Sequence, residues 1–130
     1  MTPEAARYLE KAGDCLKNAR AELDIGIAKD AGRNAYMANF HAAQAFIFHK
    51  TGKVPKRHAG VHREFERLMK DCSATARISP GILVPAYDLK ADACYRVGPE
   101  STIQVGRARD AIENAESFVT MITELLSASK

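Results

Sequence analysis

Leu9, Ala12, Leu16, Ala19 and Leu23 recur at steps of three and four residues, the spacing that lines one face of an α-helix. Ahead of them Thr2 suits an N-cap, Pro3 the first helical position and Glu4 the positive end of the helix dipole. The pattern predicts a first helix over about 3 to 28. The stretch "KDAGR" reads as a break, with Asp30 as the next cap, and a second helix then runs to Gly52, a natural C-terminal stop. Residues 35 to 48 are almost entirely apolar, which predicts a helix central in the fold. On it Tyr36, Phe40, Ala43 and Ile47 share one face, and Met37, His41, Gln44 and Phe48 the adjacent one.

Gly52, Pro55 and Gly60 punctuate the polar stretch "GKVPKRHAG", which reads as a loop. A third helix is expected over about 60 to 74, packing through Val61, Phe65, Leu68 and Met69. After "SATARISPG" a fourth is expected over about 80 to 96, with Pro85 near its start. "VGPES" separates it from a last helix over about 101 to 127, whose Ile103, Ala108, Ala111, Ile112, Ala115, Phe118, Val119, Ile122 and Leu126 form a long stripe. No β-alternation and no internal repeat is present. The expected architecture is all-α, an up-and-down bundle of four long helices plus one shorter helix, in a single domain over 1–130.

Composition narrows the class without changing that picture. A chain of 130 residues, 46% hydrophobic and 27% charged, suits one soluble globular domain. No apolar run reaches the roughly 20 residues of a membrane span, and Glu4, Arg7, Glu10 and Lys11 interrupt any signal-peptide core. A cytoplasmic protein is expected. Cys15, Cys72 and Cys94 are widely spaced and form no CxxC pair, so they read as small buried thiols rather than disulfide or zinc ligands. The net charge is +3, unevenly spread: residues 50 to 70 hold seven basic and two acidic side chains, +5, which leaves −2 for the rest. A basic patch of that kind attracts phosphates or an acidic partner, or is a solvated helix face.

Candidate chemistry is sparse. Arg33 and His41 lie eight residues apart, about 12 Å along a helix axis, too far to act as a dyad. His41 among apolar neighbours reads as a hydrogen-bonded core or interface residue. His58 and His62 have the i,i+4 spacing that suits a metal, but no carboxylate or third ligand is near in sequence, and a helix starting at Gly60 would misalign them. No metal site is therefore expected. No P-loop, GxGxxG, nucleophile elbow or HExxH is present, so no cofactor is signalled.

Residues 30 to 65, "DAGRNAYMANFHAAQAFIFHKTGKVPKRHAGVHREF", resemble the signature of the HEPN family of small helical domains. The elements that carry the resemblance are Arg33, Tyr36, Met37, Ala38, Phe40, His41, Ala42, Gly52, Lys56, His58, Gly60, Val61 and Phe65, with Met37 in place of a second aromatic. "AGDCLKNARAELD" and "ARDAIENAESFVTMI" sit where that family has its first and last helices. The resemblance implies a bundle that commonly dimerises and is often encoded beside a minimal nucleotidyltransferase in toxin–antitoxin or defence systems. Active members are metal-independent ribonucleases that use an arginine followed after four to six residues by a histidine. Matched by helix order, those positions fall on Lys90 and Tyr95, with Cys94 where related members carry aspartate and Arg96 as a displaced cation. A tyrosine with a reference pKa of about 10 is a poor base at neutral pH, and lysine lacks the guanidinium fork. The resemblance so amended implies binding of a nucleotide, RNA or a partner protein through Arg33, Lys56, Arg57, His58, Lys90 and Tyr95. The competing expectation is a ribonuclease toxin with a non-standard active site that recruits His41 or His58.

Overall fold

The computed structural model describes residues 1–70 and 100–128. Four helices are present among them: α1 (Pro3–Asp24), α2 (Ala28–Thr51), α3 (His58–Met69) and α4 (Glu100–Ala128). No strand occurs among the described residues. The expected helix over 80 to 96, and the stretch of the third helix expected beyond Lys70, lie outside them.

Helix α1 begins as its sequence predicts. The Thr2 hydroxyl accepts from the Ala5 N–H at 3.2 Å, and Pro3 opens the first turn. It stops earlier than its apolar spacing suggested, at Asp24. Gly26, at φ 80°, gives its N–H to Leu23 O at 3.0 Å, and Ile27 gives its own to Glu22 O at 2.9 Å. This pair of bonds is a Schellman turn, which satisfies carbonyls the helix end would otherwise leave open. The chain reverses within three residues, so the "KDAGR" stretch lies inside α2. Asp30 is a first-turn residue of α2, and Ile27 holds the cap position. Helix α2 ends as predicted at Gly52, at φ 80°, whose N–H reaches Phe48 O at 2.8 Å.

Helix α2 packs against each of the other three described helices, and α1 also meets α4. Against α1 small side chains form the innermost contact, and Tyr8 of α1 meets Phe48 of α2 at 6.4 Å. Ala5, Ala12 and Ala19 are fully buried at seven-residue spacing, with Leu9, Leu16 and Leu23 half-buried beside them. The alanines lie innermost and the leucines flank them, because a methyl side chain lets two helix backbones approach closely. On the other side α2 offers Phe46 to Phe65 of α3, and Phe65 in turn meets Phe118 of α4. Both ring pairs are edge-on, at 5.7 and 5.6 Å. Ala108, Ile112, Ala115, Phe118, Ile122 and Leu126 of α4 close this core. At the surface Arg20 of α1 forks onto both carboxylate oxygens of Glu116 on α4.

The loop between α2 and α3 is held at several points. The Thr51 hydroxyl lies 2.9 Å from Ile47 O and 2.8 Å from Lys53 O, able to donate its one hydrogen to either, and Val54 packs against the core. Pro55 lies so close to α3 that a Cβ on Gly60 would meet Pro55 Cβ at 2.9 Å. Gly60 is therefore an interior residue of α3 that admits the loop. The loop's remaining cations, Lys53, Lys56 and Arg57, are exposed.

Candidate functional site

With Gly60 inside the helix, α3 starts at His58. The sequence reading that placed the start at Gly60 and so misaligned His58 and His62 is corrected: the two imidazoles share one face, one turn apart. That face meets the Tyr36 and Phe40 face of α2. The Tyr36 hydroxyl lies 3.0 Å from His58 Nδ1 and 2.8 Å from His62 Nε2, bridging the pair. The His58 ring stacks on Phe40 at 4.1 Å and lies parallel to Tyr36 at 5.9 Å. His62 stands edge-on to both aromatics, at 6.0 and 6.5 Å. Two i,i+4 pairs, Tyr36 with Phe40 and His58 with His62, thus interlock across the helix interface.

The bridge constrains protonation. A phenol hydroxyl has one hydrogen to give, so across these two contacts it donates to one imidazole and accepts from the N–H of the other. Burial, together with the nearby His58, holds His62 below the ordinary histidine range, with Glu66 acting in the opposite sense. His58 is the exposed member and His62 the half-buried one. The arrangement therefore presents one accessible imidazole, fixed in orientation by an aromatic stack and a shared hydroxyl.

His41 is separate from this bridge. It is half-buried, its Nδ1 lies 2.7 Å from Gln44 Oε1, and its ring is edge-on to Phe40 at 5.8 Å. Burial lowers its pKa first, the Gln44 bond opposes this, and Lys11 and His58 add to the lowering. Arg33 is exposed near the start of α2 and pairs with Asp30 at 3.7 Å. Lys56 and Arg57 are exposed in the loop that leads into His58, Arg57 at the N-cap position with extended backbone. Lys90 and Tyr95 lie outside the described residues, as do Cys72 and Cys94. Cys15 is a free, half-buried thiol, raised in pKa by burial and by Asp14. No group of three or more His, Cys, Asp or Glu side chains suited to a metal occurs among the described residues, and no helix there is long and apolar enough to cross a membrane. An open cleft of about 360 Å³ on α4, lined by Glu116, Ser117, Thr120, Met121 and Glu124, includes none of the candidate residues.

Of the predicted site residues, the structure ties His58 into a built cluster and leaves Arg33, Lys56 and Arg57 as surface cations. Two partners are absent from the predicted site residues: Tyr36, a helix-face and signature residue in the sequence, and His62, whose i,i+4 pairing with His58 is discounted there for want of a third ligand and for a helix start at Gly60. The signal available was the pair of i,i+4 spacings, which becomes informative once α3 is started three residues upstream of Val61.

An all-helical domain built round a central apolar helix, with an imidazole pair and a cationic loop at the entry to the next helix, is the class that fold and site define. The chain belongs to the HEPN family, whose HEPN domain model matches residues 5–125. It is also similar to a protein of Methanocaldococcus jannaschii named "Putative toxin MJ0605", at 29% identity over 123 residues, covering 95% of this chain and 89% of that protein.

Proposed function

We propose that this HEPN protein has a toxin-like role and binds RNA or a nucleotide at the entry to α3, as one component of a two-protein defence pair and without strong nuclease activity. The observation that carries the reading is the position of His58. It is exposed, oriented by Phe40 and Tyr36, and directly follows the exposed Lys56 and Arg57. Cations and an oriented ring that follow one another along the chain suit a phosphate and a stacked base. Arg33, with Lys90 and Tyr95 from the stretch beyond α3, completes the proposed contact set. The toxin designation of the archaeal relative supports the role. The proposed partners are a second copy of the chain and a minimal nucleotidyltransferase.

The test is RNA affinity against salt concentration. Lys56→Ala combined with Arg57→Ala is expected to weaken binding and to flatten the log–log salt slope by about 1.4, two phosphate contacts at roughly 0.7 each on single strands. Absence of binding to nucleotides, RNA and the partner at low salt overturns the reading.

A second reading is favoured by the Tyr36-bridged imidazoles: a metal-independent ribonuclease in which His58 moves the proton of a ribose 2′-hydroxyl. Incubation with total RNA separates the two. Cleavage lost in His58→Ala supports the enzyme, and unchanged RNA profiles after long incubation support the binder.

A further inference from the structure

The geometry points to a transition-metal site formed by His58, His62 and Tyr36, for an ion of the Zn²⁺ or Cu²⁺ class. The inference stands apart from the binding reading above and rests on the convergence of three donors. His58 Nδ1 and His62 Nε2 both aim at one point, the Tyr36 oxygen, at 3.0 and 2.8 Å. An i,i+4 histidine pair on one helix face is a chelating arrangement in itself, and here a second helix brings a third donor to the same place. Four-coordinate Zn²⁺ has bonds near 2.0–2.1 Å, so its donor–donor edges are about 3.3 Å, and the His58 and His62 nitrogens need to draw back from the oxygen by only about 0.3 and about 0.5 Å.

The surroundings select the ion. The cluster offers imidazole nitrogen and phenol oxygen, with no carboxylate among its three donors. Imidazole suits Zn and Cu, whereas Mg²⁺ and Ca²⁺ require hard oxygen ligands. Lys56 and Arg57, adjacent along the chain, oppose a dication by charge, so affinity must come from direct nitrogen ligation. His58 is exposed and provides an entry path. Binding displaces two hydrogens from the bridge. Zn²⁺ bonds to the Tyr36 oxygen as the O–H bond breaks, and that proton leaves to solvent. The imidazole whose N–H faces the oxygen gives up that hydrogen and takes one at its other ring nitrogen, so that both converging nitrogens are free to ligate. Three protein donors leave the fourth tetrahedral position to water, the pattern of an open site rather than a closed structural one.

The experiment is titration of the purified full chain with Zn²⁺, followed by calorimetry in buffers of different ionisation enthalpy, and with Cu²⁺, followed by visible absorption. The wild-type chain is expected to take up one Zn²⁺ with net proton release and to show a phenolate-to-copper band. His58→Gln and His62→Gln, which keep a polar side chain and are checked for helicity by circular dichroism, should each weaken uptake by roughly tenfold or more. Tyr36→Phe should keep the imidazole pair but lose the copper band and its share of the proton release. His49→Gln, on α2 outside the cluster, should change nothing. The proposal is overturned by absence of Zn²⁺ uptake up to millimolar concentration, by uptake that survives in both glutamine variants, or by equal loss in His49→Gln.

Discussion

Helix α2 has two working sides built on different chemistry. Against α1 it meets the wholly buried Ala5, Ala12 and Ala19, beside the Tyr8–Phe48 ring pair. Against α3 it presents Tyr36 and Phe40 to two histidines, one of them exposed. The first side depends chiefly on close approach, so it is intolerant of added volume. The second has hydrogen bonds and protons to offer, so it tolerates small changes of shape and responds to solution conditions. A single helix can serve as scaffold and as site because these demands fall on different faces.

The largest expected effect comes from outside both sides, at the ring that joins α2, α3 and α4. Phe65→Ala removes the side chain that links Phe46 to Phe118 and should cost about 3–5 kcal/mol in urea unfolding. Overfilling the quiet side comes next: Ala12→Leu, at a fully buried position of α1, should cost about 1–3 kcal/mol. If it cost nothing, the close-approach account of the α1 seam would be wrong. Tyr36→Phe on the chemical side should cost only about 1–2 kcal/mol, the net value of two lost hydrogen bonds, while uncoupling His58 from His62. A loss as large as that of Phe65→Ala would show that the cluster is structural first.

The smallest effect is in pH. Burial lowers the pKa of His41, His49 and His62 in the fold, against about 6.5 unfolded. Above that value both states are neutral and no stability is lost. As pH falls through 6.5 the unfolded chain takes up protons that the folded chain resists, so stability declines until the folded values are passed. Unfolding midpoints at pH 7.5 and 5.5 should therefore differ, with the acid one lower, and His41→Gln should narrow the gap.

Much of the frame was legible in the sequence because its signals are local. Thr2 and Pro3, Gly52, and the apolar run of α2 each act within a turn or two of chain. The HEPN signature was legible for the same reason, since its elements are concentrated in residues 33 to 65. Two glycines show where local reading fails. Gly26 sits among helix-compatible residues in "DIGIAKD", and its stop depends on adopting φ 80°. Gly60 looks like a loop residue but is helical, and its reason is steric contact with Pro55, a tertiary fact. That one misreading displaced the start of α3 by two residues and thereby hid the His58–Tyr36–His62 bridge. The site was obscured by an error of boundary, although every residue type that makes it was in view.

The Schellman turn at Gly26 also bears on the order in which the chain assembles. It closes the α1–α2 hairpin through contacts between residues near in sequence, the kind that form fastest. The Arg20–Glu116 pair, by contrast, joins residues 96 apart, and α4 must arrive from that distance to set Phe118 against Phe65. The hairpin and the α2–α3 contacts, such as Tyr36 with His58 22 residues apart, are thus expected to be kinetically early and the docking of α4 late. Pulse-labelled hydrogen exchange during refolding reads this order directly: amides of α1 and α2 gain protection before those of α4.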